Sequence, residues 1–366
     1  MHFKFDLREW AEFSSIRPTV FTVYLDTQRG LDIKFLIRKG REIRNLYRDD
    51  REIRENFLQA LRQTREFFED ERNLSDQGMV IIADPLHELF KAYDLPRPAG
   101  NLAVLDTSPY IRPLVQLEED WEPFGLVLMD NSQAHLYLVN LSQVTDKKSL
   151  KTDVLGHQKK GGWSQARYSR RRKNKIEDFL RQVAAELSPL LRKERVNRII
   201  MAGSAEAKRQ LADSLPREWQ SKVVGFIDLS VDTDENTLLR KAFPVFFEAE
   251  KEEEAGMILA LRDRIASRGL AVAGLEKTSQ AVIEGRAERI IVKAEWKPEG
   301  WKCERCDVIE PGLESECILC GERVYPVDLV EEIVEYAQKT SAEVFFVREP
   351  NPVLDAMGNI GAFLRY

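Results

Sequence analysis

Short apolar runs closed by turn formers alternate along this chain with stretches whose apolar residues recur every three or four positions. The run 20–25 (Val-Phe-Thr-Val-Tyr-Leu) predicts a strand. Over residues 39–71, Ile53, Phe57, Leu61, Phe67 and Phe68 recur at helical spacing and predict one charged amphipathic helix. Residues 78–83 read as a buried strand that ends at Asp84-Pro85, and Pro96, Pro98 and Gly100 then break the pattern. The runs 124–129 and 134–139, joined by Asp130-Asn131-Ser132, predict a hairpin. A helix follows over about 165–191, with Phe179, Leu180, Val183, Ala184, Leu187, Leu190 and Leu191 on one face. Two more strands, 198–202 and 223–228, complete an alternation that indicates an α/β sandwich. The acids of 248–254, interrupted by Lys251, predict a solvated helix start or hinge into a third part. That part holds helices over 255–267, 278–284 and 328–340 and strands over 289–293 and 343–347.

A length of 366 residues suits two or three domains, each able to build its own core. No run of about 18 apolar residues is present, so no membrane-spanning helix is expected. Charges in every turn of the first nine residues argue against a secretory leader, and a cytoplasmic monomer is the expectation.

Charge changes the picture more sharply. The chain carries −6 overall, yet residues 147–175 hold eleven Lys or Arg against one acid, Asp153. That window is +10 and everything else sums to −16. An acidic protein with one basic, glycine-hinged segment is suited to pressing that segment against nucleic acid, where neutralised phosphates release counterions. At its centre stands Gly161-Gly162-Trp163-Ser164-Gln165. Without Cβ atoms, Gly161 and Gly162 admit close approach to a bound strand. The Gln165 amide donates and accepts hydrogen bonds but takes no proton near neutral pH, so it would orient a water or a ribose hydroxyl. Trp163 could stack on an unpaired base. Together with Ser164, Lys159, Lys160, Arg167, Arg170, Arg171 and Arg172, it makes the candidate RNA-binding set. The bland alternatives are a plain turn, a core tryptophan and a solvated helix face.

All four cysteines fall in Cys303-x2-Cys306 and Cys317-x2-Cys320, ten residues apart. Two such knuckles complete a tetrahedral thiolate site for structural Zn2+, with no position open to substrate. The alternative is free cysteines in a ribbon held by Trp296, Trp301 and Tyr325. The four histidines (His2, His87, His135, His157) lack metal or triad spacing. Asp84, Asp130 and Asp228 end strands and read as turn or cap residues.

The chain resembles the class-1 translation release factors of eukaryotes and archaea, above all their ribosome-rescue and tRNA-cleaving relatives. Residues 124–130 look like the opening of that family's central domain, Ala202-Gly203-Ser204-Ala205 with Lys208 like a later connection, and residues 358–366 like its C-terminal signature. The resemblance implies an α/β protein of three domains. They are a divergent N-terminal α/β domain (1–117), a ribonuclease-H-like central domain carrying the Gly-Gly loop (118–247), and a C-terminal α/β/α domain similar to kink-turn-binding proteins (248–366). A zinc ribbon is inserted in the last at about 296–326. It further implies a factor that enters the ribosomal A site, reaches the peptidyl-transferase centre of the large subunit, acts on peptidyl-tRNA and docks a partner GTPase. Aligned without gaps, Trp163 stands where the family has its glutamine, and Gln165 lies two residues later. The Gly162-x-x-Gln165 spacing is that of the tRNA-cleaving relatives, which leaves open whether the peptidyl ester or the tRNA backbone is cut. No segment resembles the Asn-Ile-Lys-Ser loop used for stop-codon reading. Beside cleavage of peptidyl-tRNA stand two alternatives: a non-catalytic ribosome or tRNA binder, and a stop-codon-dependent release factor.

Overall fold

Four separate sheets carry the cores of this mixed α/β protein among the residues that the structure, a computed structural model, describes: 6–28, 30, 32–69, 77–119, 122–140, 143–153, 163–306 and 308–366. Side chains of residues 163–166 and 168 are outside that description. The chain divides into two units: Met1–Glu119 with Ile258–Tyr366, and Asp120–Met257.

In the first unit α1 (Leu7–Glu12), β1 (Val20–Asp26), α2 (Ile33–Leu46), α3 (Arg51–Glu69), β2 (Gly78–Asp84), β3 (Leu89–Leu95), β4 (Leu102–Asp106) and α4 (Arg112–Glu119) follow one another. Their sheet has the order β3-β2-β1-β4, antiparallel throughout, with Tyr24 opposite Val80 and Phe21 opposite Leu105. Strand β1 is buried on both faces. Phe21, Val23 and Leu25 pack with Phe35, Ile53 and Phe57 of α2 and α3, whereas Val20 and Tyr24 enter the core on the other side. The single helix expected over 39–71 is two. Asp50 accepts from the backbone N–H of Ile53 (3.1 Å), and this cap starts a new helix, as Asp32 does for α2 through Phe35 (2.9 Å).

The second unit contains β5 (Phe124–Met129), β6 (Gln133–Asn140), β7 (Gln143–Lys151), α5 (Trp163–Lys193), β8 (Arg198–Gly203), α6 (Ala205–Ser214), α7 (Arg217–Gln220) and β9 (Val223–Asp228). It also takes α8 (Glu235–Ala266) as far as Met257. The sheet order is β7-β6-β5-β8-β9, with β5, β8 and β9 parallel and β6 and β7 antiparallel, which is the ribonuclease-H arrangement. Alternation along β5 assigns the faces: Val127 and Met129 pack with α5 and α6, and Phe124, Leu126 and Leu128 with Leu238, Ala242 and Phe246 of α8. A Cβ at Gly125 would lie 2.6 Å from Leu191 Cδ2, so only glycine lets α5 settle this close to the strand. Strand β7, where the sequence pattern predicts no strand, has almost every side chain exposed. Its backbone pairs with β6 at the sheet edge, so no hydrophobic alternation announces it. The acid run of 248–254 is not a helix start: it lies inside α8, which begins at the Asp234 cap (Thr237 N–H, 2.9 Å).

The C-terminal part of the first unit adds β10 (Ala271–Ala273), α9 (Leu275–Ile283), β11 (Ala287–Lys293), β12 (Glu299–Cys303), β13 (Ile309–Pro311), β14 (Val324–Asp328), α10 (Leu329–Thr340), β15 (Glu343–Val347), α11 (Pro352–Ala356) and β16 (Ile360–Leu364). One sheet runs β10-β16-β11-β15, and Ile360 and Ala362 face α9 and α10. Phe363 points the other way, and the Arg264 guanidinium sits 5.4 Å from its ring centre.

A buried polar seam ties the two chain ends into this unit. Glu331 of α10 accepts from the backbone N–H groups of Ile111 (2.5 Å) and Arg112 (2.9 Å), capping α4 with a carboxylate where the helix dipole favours one. The buried Arg112 guanidinium bonds Asp328 (3.1 Å) and the carbonyls of Ala294 and Trp296, and Tyr110 donates to Asp328 (2.8 Å). Ser108 donates to Glu335. Beside these groups, burial and then the neighbouring Glu332 carboxylate push Asp106 up to about 7, with Thr107, Lys302 and Asp328 as further influences. Burial likewise raises Glu331 and Glu335.

An acid with a raised folded-state pKa binds more protons folded than unfolded, so its contribution is complete at low pH and fades as pH rises toward about 7. Stability of the Asp106→Asn protein, measured by urea unfolding at pH 5 and 7, should therefore fall less with pH than wild type, by up to ~1.4 kcal/mol per pH unit. An unchanged slope would show that Asp106 stays ionised across this range.

Candidate functional site

Helix α5 has two halves of different character. Its C-terminal half lays Phe179, Leu180, Val183, Leu187 and Leu191 on the sheet, all buried. Its N-terminal half has no acid in the first turn, and six cations precede the first acid of the helix, Glu177. Helix stability favours the opposite placement, because cations near an N-terminus oppose the macrodipole. Dipole and side chains thus add to one positive end, which draws an anion from outside the protein.

Arg167, Arg170 and Arg171, three and four residues apart, share one exposed face and have no ion pair among the described residues. Arg172, expected with them, lies on the other side of the helix. It is half-buried above the apolar stripe, and its Nε is shielded from solvent with no hydrogen-bond partner. Lys147 pairs with Glu235 (3.2 Å) and lies 4.9 Å from the Tyr137 ring centre, Lys148 pairs with Glu186, and the Lys175 ammonium donates to the Asp153 carbonyl (2.9 Å). Half-exposed pairs like the first two are worth ~1 kcal/mol or less, so a phosphate could displace them. Backbone positions 163–165 open α5, placing Trp163, Ser164 and Gln165 in its first turn. Lys159, Lys160, Gly161 and Gly162, with His157, lie outside the described residues. Asp84 and Asp130 are cap and turn residues: Asp84 accepts from the Leu86 N–H (3.2 Å), and Asp130 accepts from the N–H groups of Ser132 and Gln133, each at 2.7 Å. Asp228 ends β9 and takes the ammonium of the buried Lys208.

The cysteines meet in a ribbon of order β13-β12-β14. Their four sulfurs lie within 4.8 Å of one another, with Cys303–Cys320 and Cys306–Cys317 at 3.5 Å and Cys320–Cys306 at 3.7 Å. A tetrahedron of thiolates about a zinc-sized ion, with a metal–sulfur bond of ~2.3 Å, has edges of ~3.8 Å, so the donors are spaced for such an ion. The N–H groups of Arg305 (3.4 Å) and Cys306 (3.5 Å) point at Cys303 Sγ, and Gly321 turns the second knuckle at φ +73°. Burial opposes ionisation of Cys317, but the backbone N–H groups of Cys320 and Leu319, together with the Cys306 and Cys320 thiols, bring its pKa to about 7. The ribbon is anchored within its unit: Glu304 pairs with Arg17 (2.7 Å), Arg323 with Asp50 (2.5 Å), and Tyr325 enters the core of α2 and α3.

Among the described residues no helix is long and apolar enough to cross a membrane. Residues 109–246 match the family of bacterial archaeo-eukaryotic release factors, family 10. Along most of its length the chain is similar to archaeal proteins named peptide chain release factor subunit 1. With that of Thermococcus onnurineus it is 24% identical over 356 residues, covering 86% of this chain and 85% of the relative. With that of Methanocaldococcus jannaschii it is 28% identical over 326 residues, covering 79% and 77%. Among solved structures, Archaeoglobus fulgidus Pelota aligns over 80% of each chain at 14% identity, with a TM-score of 0.36.

Two substitutions and a chelator test the thiol cluster. One divalent ion per chain should be found by elemental analysis, and Cys303→Ser with Cys317→Ser should lose it. Chelation should open residues 296–326 to protease, because the cluster around the thiols buries only Trp301 and Val324 besides the cysteines themselves. A metal-free chain with the same protease resistance would refute the site.

Proposed function

The chain belongs to the class-1 release factor superfamily of eukaryotes and archaea, and from that premise we propose that it is a ribosome-associated factor that cleaves peptidyl-tRNA near the CCA end. In this reading it frees stalled nascent chains in the cytoplasm without reading a codon. One observation carries the proposal: α5 brings exposed Arg167, Arg170 and Arg171, without an ion pair among the described residues, to a positive helix end that follows Gly161-Gly162-Trp163-Ser164-Gln165 in the chain. These arginines hold RNA phosphates bidentately, and Lys159 and Lys160 extend the contact. The glycines let the strand approach, and Trp163 stacks on an unpaired base. Gln165 orients the nucleophile, a water for the ester or a ribose hydroxyl for the tRNA backbone. Its amide cannot accept the proton, so proton transfer falls to RNA groups or solvent. The four thiolates hold structural Zn2+, which closes the ribbon and takes no part in the reaction.

A second reading has a specific observation behind it: the archaeal relatives are named peptide chain release factors. Release that depends on a stop codon in the A site would favour it.

Gln165→Ala should lower release of nascent chain from stalled ribosomes or large subunits by ~100-fold or more, with binding retained. Equal release by both proteins would take Gln165 out of the mechanism and leave a binder. Arg170→Glu with Arg171→Glu should weaken ribosome binding and reduce the slope of log affinity against log salt by ~1.5–2. Folding stability should hold or rise slightly, since acids suit a helix N-terminus. An unchanged salt slope would exclude these arginines from phosphate contact.

A further inference from the structure

Helices α2 and α3 follow one another in the chain and share a core, yet their solvent faces differ in charge. Helix α3 balances four arginines with four glutamates, and pairs such as Arg51 with Glu55 (2.7 Å) form along it. Residues 33–48, which hold α2 and its C-terminal cap, carry six Lys or Arg against Glu42 alone, a balance of +5 in a chain of net charge −6. Glu42 is already engaged by Lys39 (2.6 Å), with Arg38 at 4.0 Å. Lys34, Arg41 and Arg44 are exposed and have no ion pair among the described residues. Packing decides where these cations point. Phe35, Leu36 and Ile43 enter the core with β1 and α3, and a Cβ at Gly40 would meet Leu61 Cδ2 at 2.9 Å. At about 100° per residue, Lys34, Arg38 and Arg41 fall on the side opposite that core, with Arg44 beside them. Four cations at steps of three and four residues thus make one stripe ~15 Å long. Like charges at such spacing destabilise a helix, so the row opposes folding until a polyanion neutralises it.

We infer that α2 binds the phosphate backbone of double-helical RNA without reading its sequence. The inference deepens the ribosome-binding reading by adding a contact in the first unit, and it does not depend on Gln165 or on cleavage. The stripe bears no aromatic side chain: Phe35 and Tyr47 are buried, so α2 offers no platform on which unpaired bases would stack. A straight row of cations suits a continuous backbone instead, each guanidinium gripping phosphate oxygens in pairs. Ile37, 40% exposed within the row, rests on the riboses of the shallow minor groove. A lipid surface fits poorly, because the apolar face that a bilayer would take is already packed in the protein core.

The test is titration of the full-length protein with a fluorescently labelled RNA duplex of mixed sequence, followed by anisotropy over a range of salt concentrations. Arg38→Gln, Arg41→Gln and Arg44→Gln together should weaken binding about tenfold or more at low salt and reduce the slope of log affinity against log salt by ~2–3. Glutamine has a helix propensity close to that of arginine, so the urea midpoint should hold. Removing three charges from α3 instead, by Arg51→Gln, Arg62→Gln and Arg65→Gln, should change affinity by about twofold or less. The α2 substitutions should cause the same loss in the Arg170→Glu, Arg171→Glu protein, which separates this contact from that of α5. No ribosome and no release step enter these titrations, so failure of the cleavage reading leaves their outcome standing. Equal loss from the α2 and α3 sets would reduce the effect to net charge and overturn the inference. So would α2-dependent binding of the single strand, of polyglutamate or of phosphatidylserine vesicles that is as tight as binding of the duplex.

Discussion

The docking of the apolar half of α5 on the central sheet is the constraint from which the functional surface follows. Burying Phe179, Leu180, Val183, Leu187 and Leu191, with Gly125 clearing room for the last, fixes the rotation of the helix about its axis. Once that rotation is set, the first three turns cannot choose their exposure. Arg167, Arg170 and Arg171 must look outward, and Arg172 must lie half-buried on the other side. The hydrophobic effect in one half of a helix thereby aims the charge of the other half. The cost is an N-terminus whose dipole and cations repel each other, offset by the several side chains buried downstream, each worth about 1.5–3 kcal/mol.

A different solution holds the first unit together. Its N-terminal sheet and its C-terminal helices meet through carboxylates and backbone amides as well as through hydrocarbon. Glu331 caps α4, and Glu119 at the end of α4 accepts from the N–H of Phe346 in β15. Arg112 gathers Asp328 and two carbonyls. Buried groups of this kind add little net stability when satisfied and cost much when broken, so they select one register of the two parts over its neighbours. The ribbon uses the same logic through Arg17 and Arg323, which tie the cysteine knuckles to α3 and its cap residue Asp50.

Much of the fold was legible because burial writes a period into sequence. The hairpin of β5 and β6, strand β15 and the apolar face of α5 follow from alternation and three-to-four spacing alone. The break between α2 and α3 was not, since a capping aspartate inside a charged stretch leaves the helical period almost undisturbed. Strand β7 escaped because an edge strand with both faces wet needs no apolar pattern. The acids within α8 misled for the converse reason: solvated charge is compatible with a helix interior as well as with its start.

For the site, the chain by itself determined chemistry and left position open. Residue types and spacing were enough for four convergent thiols, a neutral amide after a glycine pair and a dense row of cations. Tertiary structure alone decided which cations are free, drawing Lys147 and Lys148 into ion pairs and leaving Arg167, Arg170 and Arg171 exposed. It alone brought Arg172 near Asn131 and α6, elements distant in sequence. The physical reason is that periodicity records how much of a residue is buried, whereas partners depend on which elements the sheet order brings side by side.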